Sequence, residues 1–219
     1  MHSASSSSDR VQATAAALVA RPAFWIVFVA LAATWPFIRP LAHHPPPRLP
    51  VLGTMQRFEL VDERGLPFGS AELAGRIWVA SFVFTRCGTA CPAITAKMKQ
   101  VQDRARQLGS AFHLVSFSVD PEHDTPPILA AYARQHGASP RLWSFLTGPP
   151  GAVRSAVSEG LKVSMGRERD DGATADISHG THLVLVDGRG QVRAYYDPDE
   201  PGVVDRVLRD VSLIVNRGE

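Results

Sequence analysis

The feature that most constrains the fold is a turn that carries both cysteines of the 219-residue chain, Cys87 and Cys91. The residues before it, 77–84, read Ile-Trp-Val-Ala-Ser-Phe-Val-Phe. This run is rich in β-branched and aromatic residues and predicts a buried strand. After Pro92, apolar residues recur at positions 94, 98, 101, 105 and 108, which is one face of an amphipathic helix. The sequence therefore predicts Cys87 in the turn after a strand and Cys91 at or just before the first turn of a helix.

This placement has consequences for the two thiols. Unpaired N–H groups and the helix dipole favour an anion at a helix N-terminus, so we expect stabilised thiolate forms of Cys91 and Cys87. Arg86 adds a positive charge beside them. Residues four apart on a helical turn face the same side, so the pair can reach disulfide distance or converge on one metal ion. The competing interpretation is two buried structural cysteines.

Composition narrows the class of protein. The length suits one domain, alone or with an appendage. Charged residues make up 20% of the chain and the formal net charge is +2. The basic residues are scattered among acidic ones, which argues against a nucleic-acid partner. Two cysteines are too few for a disulfide-stapled scaffold and suit a redox pair or a metal site.

The N-terminal fifth of the chain differs from the rest. We predict a disordered cytoplasmic tail over residues 1–21, a transmembrane signal anchor over 22–38 and a Pro-rich linker over 39–50. Trp25 and Trp35 lie near the ends of the apolar segment, as aromatic belts do. A cleaved signal peptide is the alternative, although no small-x-small cleavage site follows. The globular domain is predicted over residues 51–219.

Within that domain the pattern alternates between strands and helices, then continues with a hairpin and a last helix. We predict further strands at 58–61, 111–119, 142–146, 181–186 and 191–196, and helices at about 126–136, 150–160 and 204–215. Asp124 and Thr125 are the N-cap candidates of the helix at 126, with prolines at its first positions. This order predicts an α/β sheet with helices on both faces.

Three separated motifs resemble the Sco/SenC family of thioredoxin-like copper proteins. They are the Cys-x-x-x-Cys-Pro turn, the segment 117–126 (Phe-Ser-Val-Asp-Pro-Glu-His-Asp-Thr-Pro) and His179 ahead of the late hairpin. The resemblance covers residues 51–217. It implies a thioredoxin-like fold with a central mixed β-sheet flanked by helices, behind an N-terminal transmembrane helix. One departure is Gly88, where the family commonly has proline after the first cysteine.

The resemblance also implies a function. It carries Cys87, Cys91 and His179 over as ligands of copper, as Cu(I), Cu(II) or both. The expected protein is a membrane-anchored metallochaperone that delivers copper to, or keeps thiols reduced in, the CuA site during cytochrome c oxidase assembly. Its expected partners are cytochrome c oxidase subunit II or another copper-site protein, and thiol-disulfide reductases. The expected location is a bacterial cytoplasmic membrane, single-pass, with the C-terminal domain on the periplasmic side.

Ligand chemistry agrees with this expectation. Two thiolates and one imidazole form a soft ligand set that favours Cu(I). Magnesium and calcium prefer oxygen ligands and do not suit this set. Zinc, with a water as its fourth ligand, is an alternative that the sequence leaves open. His182 is a second candidate, but a three-residue offset in a strand points to the opposite face from His179. Asp120, at a strand's carboxyl end, either orients a ligand or only begins the turn at Pro121. We expect His113 to be a core or sheet-face residue with satisfied hydrogen bonds, His123 and His136 to lie on the surface, and His43 and His44 to be solvated.

Two other functions remain open. Metal-independent thiol-disulfide exchange would use Cys87 and Cys91 as a redox-active pair that can form a disulfide, with the more exposed thiol attacking. The usual spacing for that chemistry places two residues between the cysteines, whereas this chain has three. A thiol peroxidase on the same frame is the third candidate.

Overall fold

The computed structural model describes residues 22–38, 48–88, 90–163, 165–167, 177–179 and 182–218. The chain divides into two units, residues 1–47 and residues 48–219. The predictions for the tail and for most of the linker fall on residues outside the described part.

The first unit contains helix α1, Pro22–Ile38. Its apolar side chains include Trp25, Ile26, Phe28 and Leu31, all of which are exposed. Seventeen residues extend for only about 25 Å, against about 30 Å for the hydrocarbon core of a bilayer. Within the described residues, no helix is long and apolar enough to span a membrane. The predicted transmembrane anchor at 22–38 is therefore not confirmed.

The second unit is built on ten strands and four helices among the residues that the structure describes. The strands are β1 Gly53–Thr54, β2 Glu59–Val61, β3 Pro67–Gly69, β4 Ile77–Val83, β5 Phe112–Ser118, β6 Trp143–Leu146, β7 Met165–Arg167, β8 Ile177–His179, β9 Leu183–Val186 and β10 Gln191–Tyr196. The helices are α2 Ala90–Ala105, α3 Pro126–Gln135, α4 Pro150–Arg154 and α5 Val203–Val215. A 3₁₀ segment, Arg106–Ala111, follows α2, and a π-helical segment, Ser155–Gly160, follows α4.

The main sheet is mixed, with strand order β1-β10-β9-β4-β5-β6. Strands β4, β5 and β6 are parallel, and β9 and β10 add to the other side of β4 as an antiparallel hairpin. Strand β1 completes that edge by pairing with β10. The mixed sheet, the late hairpin and the strand-helix alternation that the sequence predicts are thus confirmed.

Two hydrophobic cores lie on the two faces of this sheet, so every residue of β4 and β5 is buried. On β4, Ile77, Val79 and Val83 face helices α2, α3 and α5. The alternate residues Trp78, Ala80 and Phe82 face α4 and the β2–β3 hairpin. A parallel strand that is covered on both faces reads as a continuous apolar run, which is why residues 77–84 carry so strong a signal. The turn that holds the cysteines leaves this sheet at the carboxyl end of β4.

Candidate metal centre

The two cysteines lie at one strand-to-helix turn. Cys87 follows β4, and Cys91 is the second residue of α2. The Cys91 backbone N–H donates to Cys87 Sγ at 3.4 Å, so the two cysteines lie against each other at this turn. Pro92 is compatible with this position because the first N–H groups of a helix have no intrahelical acceptor. The turn therefore brings two sulfur donors to the N-terminus of a helix that is itself anchored in the core.

The two thiols differ in burial. Cys91 is fully buried in the core beneath α2, while Cys87 is partly exposed. Burial raises the pKa of the Cys91 thiol to about 12, and the nearby Cys87 and Asp124 act in the same direction. A hydrogen bond to the backbone of Phe84 works against this increase but does not offset it. The expectation of a stabilised Cys91 thiolate is therefore wrong, because desolvation of the charged form outweighs the helix N-terminus.

Arg86 does not supply a free positive charge to the thiols. Its guanidinium binds the buried Asp120 carboxylate, with Nη2 and Nε at 2.5 and 3.1 Å from Oδ2. This pairing raises the pKa of Arg86. The Asp120 carbonyl also accepts the backbone N–H groups of His123 and Asp124. Asp120 thus ties the cysteine turn to the loop after β5 and begins the turn at Pro121.

Asp124 is the residue whose role the sequence did not reveal. It is fully buried, and its carboxylate accepts Thr85 N–H at 3.1 Å, Thr85 Oγ1 at 2.5 Å and Ser118 Oγ at 2.7 Å. The sequence suggested it only as an N-cap candidate, and the N-cap residue of α3 is Thr125. A signal was available, since polar residues after neighbouring parallel strands meet at one sheet edge. Asp124 fixes the turn before Cys87 to the end of β5.

A second contact holds the first turn of α2 against α3. Thr95 Oγ1 donates to the Cys91 carbonyl at 2.7 Å and accepts from the Tyr132 hydroxyl at 2.8 Å. Tyr132 is buried beside the cysteines, and burial raises its pKa to about 12. Because Thr95 uses its one proton on the carbonyl, the tyrosine proton is the one that closes this chain of hydrogen bonds. The backbone of Cys91 is thereby held by two helices at once.

The structure places the candidate histidines in different surroundings. His179 ends β8 and pairs with Met165 of β7, and its side chain lies outside the described part. His182 is exposed just before β9. His113 is buried in β5, where Nε2 contacts Ser144 Oγ at 3.0 Å and burial lowers its pKa to about 3, so it is the predicted core residue. His123 and His136, expected on the surface, are half-buried. The described residues contain no group of three or more potential metal-ligating side chains.

Together these observations define a thioredoxin-like α/β domain with a dithiol at the turn between a central strand and a helix. The SCO1/SenC family model matches residues 50–215. The chain therefore belongs to the SCO1/SenC family, as its three motifs predicted.

Individual relatives agree with this assignment. The SCO1 protein homolog of Bacillus subtilis is 30% identical over 159 residues, which are 72% of this chain and 81% of the relative. The structure of BsSco, described as having a disulfide switch and as a member of the Sco family of cytochrome c oxidase assembly proteins, has a TM-score of 0.65 and 28% identity. It covers 76% of this chain and 95% of that one. Yeast Sco1 with copper bound has a TM-score of 0.58 and 25% identity, covering 74% and 90%.

Proposed function

We propose that this chain is a copper-binding metallochaperone that delivers copper to, or keeps thiols reduced in, the CuA site during cytochrome c oxidase assembly. The observation that carries the proposal is the closeness of two cysteines at one strand-to-helix turn, with the Cys91 backbone nitrogen 3.4 Å from Cys87 Sγ. The copper-bound yeast relative and the description of BsSco support the choice of cargo and of process. The proposed recipient is cytochrome c oxidase subunit II.

The donor set suits copper better than the hard divalent metals. Thiolate sulfur is a soft ligand and selects Cu(I), whereas magnesium and calcium take oxygen ligands. Cys87 and Cys91 would supply two such ligands, from the turn after β4 and from the first turn of α2. The partly exposed Cys87 leaves a route by which the metal enters and leaves. Metal binding requires both thiols reduced, so a disulfide between them would prevent loading. Copper loading and the redox state of the pair are thereby linked.

We propose His179 as the third ligand, and the chain contains a matched control in His182. The change His179→Ala is expected to weaken Cu(I) binding at least roughly tenfold, because one of three ligands is lost. His182→Ala removes an exposed imidazole three residues away and is expected to leave the affinity unchanged. The measurement is an anaerobic Cu(I) titration of the reduced protein against a competing chelator. Equal affinities for the two variants would exclude His179 as a ligand.

A second function is favoured by the unequal burial of the cysteines. A partly exposed Cys87 beside a fully buried Cys91 is the arrangement of an attacking and a resolving thiol. BsSco, with its disulfide switch, supports this alternative of metal-independent thiol-disulfide exchange. Exchange between thiols has no need of an imidazole ligand. If His179→Ala exchanges disulfides as fast as the unchanged protein and copper binding is weak in both, the oxidoreductase function replaces the chaperone.

We also propose that α1 attaches the chain to a membrane, with the second unit on the extracytoplasmic side. The support is a helix whose large apolar side chains are exposed, Ile26 and Leu31 to 70% and 65%. Exposed apolar surface of this extent is expected to bind lipid or another apolar partner. The full-length chain should sediment with membranes after a high-salt wash, and a chain starting at residue 48 should not. Release of the full-length chain by salt alone would contradict attachment through apolar contacts.

A further inference from the structure

A cavity of about 700 Å³ lies at the opposite edge of the sheet from the cysteines. It opens where the three parallel strands begin, since Arg76 precedes β4, Ser110 precedes β5 and Arg141 precedes β6. The seven-residue strand β4 separates this edge from the cysteine turn. Arg106, in the 3₁₀ segment after α2, adds a third arginine to the lining. The cavity therefore has no part in the proposed metal centre.

The charges around this cavity do not balance. Its described lining contains three arginines and no acidic residue. Arg106 is paired with Asp103 at 2.6 Å, but Arg76 and Arg141 make no ion pair with any residue that the structure describes. Arg76 is half-buried, and desolvation lowers its pKa. A partly buried cation without a counter-charge is costly, and an anion in the cavity would compensate it.

The frame around these arginines is fixed by neutral contacts. Arg76 Nε donates to the Ser110 carbonyl at 2.9 Å and Nη2 donates to the Phe112 carbonyl at 3.3 Å. The buried Gln102 side chain donates to the Gly137 carbonyl at 3.1 Å and accepts the Ser139 N–H at 2.7 Å. These bonds join β4, the 3₁₀ segment, α2 and the loop after α3. Nη1 of Arg76 has no acceptor among the described residues, so the guanidinium is held in place with donor capacity left over.

We propose that this cavity binds a phosphate group. Arginine is the side chain best suited to phosphate, because its planar fork of N–H donors matches the oxygens and it stays charged at all physiological pH values. Ser110 and Ser139 line the same cavity, and a serine hydroxyl is a neutral hydrogen-bond donor. A cavity of about 700 Å³ is much larger than one phosphate, so the ligand carries the group on a larger body. A soluble phosphate compound and a lipid headgroup share this chemistry, and experiment distinguishes them.

The test compares Arg141→Gln with Arg154→Gln in the full-length chain. Arg141 is exposed at the cavity and makes no side-chain hydrogen bond with a described residue, so its loss should not affect folding. Arg154 is an equally exposed arginine on α4 and does not line the cavity. Calorimetric titration with inorganic pyrophosphate measures a soluble source. Calorimetric titration with soluble dihexanoyl phosphatidic acid, beside dihexanoyl phosphatidylcholine, measures a lipid source without vesicles to which α1 could bind.

Loss of one charge-assisted contact should weaken binding roughly tenfold or more in Arg141→Gln and leave Arg154→Gln unchanged. Saturable pyrophosphate binding with this pattern supports the site and a soluble ligand. The same pattern with dihexanoyl phosphatidic acid, without pyrophosphate binding, supports the site and a lipid headgroup. No binding in either arm, or equal weakening in both variants, overturns the proposal. Copper retention by Arg141→Gln should equal that of the unchanged chain, since the two sites lie at opposite sheet edges.

Discussion

Alanine at Cys91 is expected to abolish tight Cu(I) binding, with an affinity loss of more than about 100-fold. Substitutions that only touch a ligand's outer partners already cost roughly 10- to 100-fold in metal affinity, and this one deletes a proposed ligand. It also deletes the sulfur that is closest to the core, since Cys91 is fully buried and Cys87 is not. Cys87→Ala should produce a loss of similar size. The measurement is competition with a Cu(I) chelator under anaerobic conditions, using protein reduced beforehand.

The control for this prediction is the stability of the copper-free variants. Cys91 packs in the core, so its truncation leaves a small cavity and costs about 1 kcal/mol, whereas Cys87 is partly exposed and its truncation costs less. If Cys87→Ala and Cys91→Ala lose Cu(I) affinity equally but stability unequally, the affinity loss is due to the missing ligand and not to destabilisation. Retention of one tightly bound copper ion by either variant would contradict the proposed metal centre.

Asp124→Ala is expected to lower the free energy of unfolding by about 3 kcal/mol, because it leaves three donors without an acceptor. Those donors are the Thr85 N–H, the Thr85 hydroxyl and the Ser118 hydroxyl, all in the buried contact between the cysteine turn and β5. Urea denaturation of the reduced, copper-free protein measures the effect. The free energy of unfolding of Asp124→Asn should lie between those of the unchanged protein and Asp124→Ala, since an amide retains one acceptor oxygen.

Asp103 provides the matched control for Asp124. It also makes short ion pairs, with Lys99 at 2.5 Å and Arg106 at 2.6 Å, but it lies exposed on α2. Asp103→Ala should cost less than about 1 kcal/mol, because solvent screens exposed ion pairs. If Asp103→Ala and Asp124→Ala destabilise the protein equally, the contribution of Asp124 to stability does not come from its burial.

The sequence predicted the elements around the cysteines because their signals are local. Strand β4 begins at Ile77 as the apolar run predicted, and α3 begins at Pro126 behind Thr125. The 3.6-residue period after Pro92 gave the buried face of α2, including Ile94, Met98 and Val101. In each case the information lies within one stretch of chain. The hairpin of β9 and β10 was also predictable from the sequence, because a Gly-rich turn separates two runs with a strand pattern.

What the sequence missed depends on distant residues. Strand β1 has two residues and exists through its pairing with β10, which no local pattern records. Asp124 matters because β5 lies beside β4, and this neighbourhood is set by tertiary packing. The prediction of a stabilised Cys91 thiolate was wrong for the same reason. Its position at a helix N-terminus was read correctly, but the depth of its burial depends on α3, α5 and the sheet.

If Cys91 is a copper ligand as proposed, the burial of its thiol makes copper loading an exchange of one cation for another. A pKa of about 12 means that the copper-free sulfur holds its proton throughout the physiological range. A metal that binds this sulfur as thiolate must therefore expel one proton per ion, so its apparent affinity rises with pH and falls as the surroundings acidify. The proposed metal centre is therefore expected to release copper more readily at acidic than at neutral pH.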